Sequence, residues 1–209
     1  MEGNPLSKYD TPECETLVET VKQSLRTSDT IGIERCMQCG ACTSSCPAAR
    51  FSDYNPRDVM RRIKENDQSV IEESTIWNCF YCYTCNLRCP RDNSPSQVVQ
   101  VLRQMAINKG IGLEKIEVLF EYPETFAKMG VSKIPQPYIG QMENDLGKRW
   151  LEFTRNLDSI RSELGLGPIG VKDTGRNEIR KILGGVGFSE RFEELKSMAK
   201  EKKETGGDQ

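Results

Sequence analysis

Eight of the nine cysteines in this 209-residue chain fall in two copies of one spacing. The first copy runs Cys36-x2-Cys39-x2-Cys42-x3-Cys46-Pro47, the second Cys79-x2-Cys82-x2-Cys85-x3-Cys89-Pro90. Equivalent cysteines stand 43 positions apart throughout. No other feature restricts the fold as tightly. Leu, Ile, Val and Phe supply only 46 of the 209 residues, close to the level at which a chain struggles to build a core unaided. Such a chain needs cross-links besides apolar packing, and its cysteines are the residues that can supply them.

The spacing decides which cross-link. Nine cysteines fit a full disulfide framework poorly, and tight cysteine clusters in a reducing compartment are more often metal ligands. Three thiolates at three-residue intervals let one turn of chain wrap three corners of a cubane. The fourth lies one residue further on and is followed by proline. This is the bacterial ferredoxin signature for [4Fe-4S] clusters. A zinc ribbon uses two CxxC pairs and leaves a third cysteine at the same interval, and the Cys-Pro ending, unexplained in both copies. In two-cluster ferredoxins the fourth cysteine serves the other cluster. The expected ligand sets are therefore Cys36, Cys39, Cys42 and Cys89 for one [4Fe-4S] cluster, and Cys79, Cys82, Cys85 and Cys46 for the other. Cys14 stands apart and is expected to be an inert helical cysteine.

Composition excludes much else. The chain has no histidine, which removes Ser-His-Asp and Cys-His nucleophile systems, histidine-ligated haem, Rieske centres and His-bearing zinc fingers. Net charge is −2, from 29 basic and 31 acidic residues, so no nucleic-acid footprint is expected. No stretch approaches the roughly 18 apolar residues of a membrane span. The N-terminal residues lack a signal-peptide core, so a cytoplasmic protein is expected.

Around the clusters the reading is helical. Asn55-Pro56 is an N-cap followed by proline at the first helical position, with Val59, Met60 and Ile63 forming an apolar face. Ser94-Pro95-Ser96-Gln97 reads as a capping box, Val98, Val101, Leu102, Met105 and Ala106 as a helix, and Gly110 as its stop. Upstream, Thr11-Pro12 opens a helix carrying Leu17, Val21 and Leu25. The cysteine-free remainder reads as helices over 114–128, broken by Pro123, and over 143–164. Pro135-Gln136-Pro137 marks a linker, the glycines at 184, 185 and 187 a turn, and Ser189 a final cap. The fold class expected is mostly α: an α-helical ferredoxin over 31–110, with helical extensions over 1–30 and 111–209, the latter for subunit docking. Gly40 is expected to need a positive φ between two ligands. Arg88 and Arg91 flank the last ligand, where they either tune a cluster or are simply solvated. Arg57, Arg61 and Arg62 read as solvated. Phe80, Tyr81 and Tyr83 read as shielding for the second cluster.

Residues 36–47 with their interleaved Met37-Gln38, Gly40-Ala41 and Thr43-Ser44-Ser45, together with Trp77-Asn78-Cys79, Tyr83-Thr84 and Arg88-Cys89-Pro90-Arg91, resemble the C subunit of CoB–CoM heterodisulfide reductase. The likeness is densest over 31–110 and extends weakly through Gly165–Pro168 and Gly187-Phe188. It implies an electron-transfer iron–sulfur subunit of an oxidoreductase complex in methanogenesis, with no substrate-converting site of its own. The resemblance further implies two partners. The A subunit holds FAD and iron–sulfur clusters, bifurcates electrons and receives them from a hydrogenase or formate dehydrogenase. The B subunit holds noncubane iron–sulfur clusters and reduces the CoM-S-S-CoB heterodisulfide. Two alternatives are an iron–sulfur subunit of another oxidoreductase (glycolate-oxidase-like, fumarate-reductase-like or a sulfur-oxidising relative of the reductase) and a non-catalytic redox sensor or structural iron–sulfur protein. The plant-type spacing of fumarate-reductase iron–sulfur proteins and a signalling module are both missing from the sequence.

Overall fold

A computed structural model describes residues 14–24, 31–167 and 169–205. Every regular element among them is helical, as expected for the mostly-α class. The chain divides into two compact units, with the boundary between Leu113 and Glu114.

The first unit is built on three helices. α1 (Leu17–Gln23) opens on a capping box in which the Thr16 side chain accepts from the Glu19 N–H and Glu19 reaches back to the Thr16 N–H. The expected start at Thr11-Pro12, and Leu25, lie outside the described residues. The Thr16-x-x-Glu19 box is the stronger start signal, because it satisfies two orphan donors at once. Cys14 consequently precedes α1 instead of riding on it, and its N–H donates to Thr20 Oγ1 at 3.4 Å. A distant side chain also pins this end: the Leu17 N–H donates to Asn66 Oδ1 at 2.8 Å.

The Asn55-Pro56 pair starts a helix as expected. After the four-residue α2 (Ala41–Ser44), α3 (Pro56–Lys64) begins with the Asn55 side chain accepting from the N–H groups of Arg57 and Asp58. Arg61 pairs with Asp58 and Glu65, and Arg62 with Asp67 and Glu73, so these two arginines are held by carboxylates. α4 (Thr84–Leu87) is again four residues, and α5 (Pro95–Asn108) is the longest helix of the unit. The Ser94 hydroxyl makes no capping bond. Ser94 is buried and its hydroxyl lies 3.2 Å from that of Ser96, so the expected capping box does not form. Gly110 ends α5 in a Schellman motif, its N–H donating to Ile107 O at 2.9 Å and that of Ile111 to Ala106 O at 2.7 Å.

The apolar faces meet in one core. Leu17 and Val21 of α1, Val59, Met60 and Ile63 of α3, and Val98, Val99, Val101, Leu102 and Ala106 of α5 are all buried there. Ile33 and Ile76, from the 3-10 turns Ile33–Arg35 and Ser74–Asn78, join it. Each fully buried Val, Leu, Ile or Met side chain contributes about 1.5–3 kcal/mol. The cysteine segments are draped over this core.

The second unit opens on short helices and closes on two longer ones. α6 (Leu113–Ile116) leads through a 3-10 turn to α7 (Glu121–Met129). Pro123 sits in the first turn of α7, where its missing N–H costs nothing, so it opens a helix instead of breaking one. Similarly, Pro137 lies at the start of α8 (Gln136–Gln141), where a linker was expected. The single helix expected over 143–164 is three: α9 (Glu143–Leu146), α10 (Lys148–Arg155) and α11 (Leu157–Glu163). Gly147, at φ 81°, separates the first two. α12 (Asp173–Gly185) absorbs Gly184 and Gly185, and α13 (Phe188–Thr205) starts one residue before Ser189. Lys196 of α13 pairs with Glu124 of α7 at 2.5 Å, and the Phe192 ring meets those of Phe120 and Phe188.

Candidate metal centre

The two cysteine motifs adopt the same backbone. A 3-10 turn delivers the first cysteine of each, the Cys36 N–H donating to Ile33 O at 3.1 Å and the Cys79 N–H to Ile76 O at 3.5 Å. The chain then turns through left-handed residues at equivalent places: Gln38 (φ 57°) and Gly40 (φ 80°) in the first copy, Tyr81 (φ 56°) and Tyr83 (φ 59°) in the second. The expectation for Gly40 holds, and the second copy accepts the same conformation without a glycine. A left-handed conformation costs a non-glycine residue roughly 1–2 kcal/mol, and such strain gathers at functional sites. α2 and α4 then carry the third cysteines. The N–H of Cys46 donates to Thr43 O and that of Cys89 to Asn86 O, both at 3.1 Å.

This repeat folds the cysteines around two partly open cavities. One is lined by Cys36, Cys39, Cys42 and Cys89. The other is lined by Cys79, Cys82, Cys85 and Cys46. Each cavity therefore gathers three cysteines of one motif and the fourth of the other. Cys14 lines neither. None of the nine cysteines is paired in a disulfide. Cys46 and Cys85 are buried, whereas Cys39 and Cys82, the second cysteine of each motif, are exposed.

The donor set fits iron–sulfur clusters better than single ions. A tetrahedral zinc site holds its sulfurs about 3.8 Å apart, from a Zn–S distance of roughly 2.3 Å. Among the described residues no three Cys, Asp or Glu side chains gather closely enough to share one ion. Each cavity instead offers four thiols, the ligand count of one [4Fe-4S] cluster. Burial pushes the Cys42 and Cys85 thiols above their ordinary pKa, with partial relief from hydrogen bonds to Thr43 and Ser96 respectively. Cys82 is held below its usual value, first by the Thr84 hydroxyl 3.4 Å away. Buried thiols of this kind become thiolates when a metal supplies the positive charge.

Polar residues around the cavities follow a second register. The N-caps Asn55 and Ser94 stand 39 positions apart, not 43. Counted from these caps, Lys64 and Arg103 are equivalent, and each serves the first cysteine of a motif. Lys64 Nζ donates to Cys36 O at 3.0 Å. Arg103 Nη2 donates to the carbonyls of Ile76, Trp77 and Cys79, each at 2.8 Å, and its Nε to Ile76 O at 3.1 Å. Its guanidinium also lies 5.6 Å from the Trp77 ring centroid. Burial lowers the Arg103 pKa, with Cys79 opposing. The sequence reading missed both cations, because the cysteine register does not align them.

The residues expected to surround the clusters separate. Arg91 and Arg57 line the first cavity, and Arg88 lines neither. Phe80 and Tyr83 line the second cavity. Phe80 is nevertheless 62% exposed, so it forms a rim and not a lid. Tyr81 packs on Tyr83 with ring centroids 4.7 Å apart and lies outside the cavity lining.

Comparison with known proteins agrees with this geometry. Residues 32–93 match the model of a 4Fe-4S dicluster domain. The C subunit of the ferredoxin:CoB-CoM heterodisulfide reductase of Methanosarcina acetivorans is 53% identical over 197 residues, covering 94% of this chain and 79% of that protein. The chain belongs to the C-subunit family of heterodisulfide reductase. Other members match mainly over the cluster-binding part. The CoB–CoM heterodisulfide reductase iron-sulfur C 2 subunit of Methanocaldococcus jannaschii is 42% identical over 78 residues, 37% of this chain and 42% of its own length. The C subunit of the H(2):CoB-CoM heterodisulfide,ferredoxin reductase of Methanothermobacter marburgensis is 38% identical over 79 residues, 37% of this chain and 43% of its own. This C-subunit chain thus spans less than half of those two relatives. Among its described residues no helix is long and apolar enough to cross a membrane.

Proposed function

We propose that this chain is the electron wire of a heterodisulfide reductase complex, passing electrons from an FAD-containing subunit to a heterodisulfide-reducing one. The observation that carries the reading is the pair of cysteine-lined cavities, each with one exposed thiol, Cys39 or Cys82. A wire needs two contiguous redox centres and an accessible edge at each end. Cys36, Cys39, Cys42 and Cys89 would hold one [4Fe-4S] cluster, and Cys79, Cys82, Cys85 and Cys46 the other. When bound, each cluster supplies a one-electron store at a potential the protein sets. The crossed cysteines Cys46 and Cys89 fix the two sites to each other through the chain. Arg103 and Lys64 hold the backbone that presents Cys79 and Cys36.

The Methanosarcina acetivorans relative carries ferredoxin in its name. That name favours ferredoxin as the donor to the complex over a hydrogenase or formate dehydrogenase. The second unit is then a docking element. Its buried apolar side chains among the described residues are few, namely Pro135, Ile139, Leu151 and Ala199, while Leu146, Phe153, Leu164, Leu166 and Ile182 are exposed. Such unsatisfied faces suit a protein that sits between two others.

Anaerobic purification from the native cell tests the reading. Iron and sulfide are quantified and the accompanying polypeptides identified. About eight irons per chain, together with a flavoprotein and a second iron–sulfur protein, is the expected result. Eight irons with an unrelated dehydrogenase would move the chain to another pathway.

A further inference from the structure

Asn93 is 2% exposed, and neither its Nδ2 nor its Oδ1 finds a hydrogen-bond partner. A buried, unpartnered side-chain amide is expensive, and a native chain that keeps one has a use for it. Asn93 lines the first cavity, the one bounded by Cys36, Cys39, Cys42 and Cys89. It comes from the other half of the repeat, immediately before the N-cap of α5. The left-handed Asp92 (φ 55°), three residues beyond Cys89, shapes the turn that leads into it.

The equivalent residue in the first half, 39 positions earlier, is Tyr54. Tyr54 precedes the N-cap of α3, is 2% exposed and lines the second cavity. It shares that lining with Cys46, Cys79 and Cys85. The two halves therefore each send one buried hydrogen-bond donor across into the opposite cavity. They use different chemistry, a side-chain amide and a phenol, at one position of the fold.

We propose that Asn93 and Tyr54 are the hydrogen-bond donors that set the potentials of the two clusters, Asn93 for the first cavity and Tyr54 for the second. The inference rests on the reading of the cavities as cluster sites. The Asn93 Nδ2–H groups and the Tyr54 O–H donate to sulfur. A hydrogen bond to sulfur stabilises the more negative, reduced state and raises the potential. Two donors of different chemistry contribute unequally to the two potentials. Neither residue supplies a ligand.

The test is an EPR-monitored redox titration of the anaerobically purified full chain, with each signal assigned from Cys42→Ser and Cys85→Ser variants. Asn93→Leu keeps the volume and removes the donor. It is expected to lower the potential of the first cluster and leave the second unmoved. Tyr54→Phe is expected to do the converse. If Asn93→Leu loses its cluster, Asn93→Ser, which keeps a donor, is compared with Asn93→Ala, which does not. A lower potential in the alanine variant is expected, and equal potentials overturn the inference. Fully loaded Leu and Phe variants with wild-type potentials, or with both clusters shifted alike, would overturn it too. A wild-type chain holding fewer than two clusters would instead overturn the reading of the cavities.

Discussion

Replacing Arg103 by methionine tests how the second motif is held. The side chain keeps its packing volume and loses every donor. Three carbonyls, those of Ile76, Trp77 and Cys79, each lose a bond of 2.8 Å from Nη2. A hydrogen bond to a charged group is worth about 1.5–3 kcal/mol, but three sharing one guanidinium are not additive. Loss of the Trp77 contact adds about 0.5–1 kcal/mol. Because Arg103 is only half-buried, water re-solvates part of what is lost, and we expect a net destabilisation of about 3 kcal/mol. At roughly 1.4 kcal/mol per factor of ten, cluster release under denaturant should accelerate by up to about 100-fold. The assay is the decay of visible cluster absorbance in guanidinium under anaerobic conditions, a rate being the proper measure where unfolding is irreversible. Arg103→Lys should recover about 1 kcal/mol, since one ammonium serves one carbonyl well, as Lys64 does for Cys36. Lys64→Met, losing one exposed bond, should accelerate release by less than about tenfold. Release from Arg103→Met within about threefold of the unaltered chain, or matching Lys64→Met, would refute the argument.

Packing and metal removal give the remaining predictions. Gly112 has φ +73°, and a Cβ there would lie 2.5 Å from the Trp77 ring, so Gly112→Ala should cost about 2–4 kcal/mol. Gly140, with nothing within 4 Å, is the control, and Gly140→Ala should be neutral or slightly stabilising by thermal melting. Leu102→Ala, at a fully buried position of α5, should cost about 2–5 kcal/mol in the same melts, and a loss below about 1 kcal/mol would mean that α3 and α5 do not share one core. Iron removal by a chelator should strip hydrogen-exchange protection from the four-residue helices α2 and α4, which are too short to stand alone, while α5 stays protected. Protection of α2 and α4 in the iron-free chain would show that the thiols are held without metal.

Much of the site was legible because metal chemistry writes itself into spacing. The repeat of eight cysteines pointed to both sets of four that line the two cavities, and it located the left-handed turn at Gly40. Asn55-Pro56 and Gly110 marked helix ends because caps act through neighbours in sequence. The residues that were missed act across the repeat. Cys46 to Asn55 is nine positions and Cys89 to Ser94 is five, so the helices that follow the motifs run on an offset of 39 while the cysteines run on 43. Tyr54, Lys64, Asn93 and Arg103 are visible only on the second offset. The C-terminal boundaries failed for another reason: proline reads as a breaker, yet Pro123 and Pro137 sit in first turns, where no N–H is needed. Gly147 and Asn156 split an apolar pattern that continues across both breaks.

The most direct test of the crossed arrangement is a set of four single substitutions, Cys42→Ser, Cys89→Ser, Cys85→Ser and Cys46→Ser, each followed by EPR after anaerobic reduction. Cys89→Ser should perturb the same signal as Cys42→Ser, and Cys46→Ser the same signal as Cys85→Ser. If Cys89→Ser instead matches Cys85→Ser, and Cys46→Ser matches Cys42→Ser, each motif holds its own cluster and the crossed account is wrong.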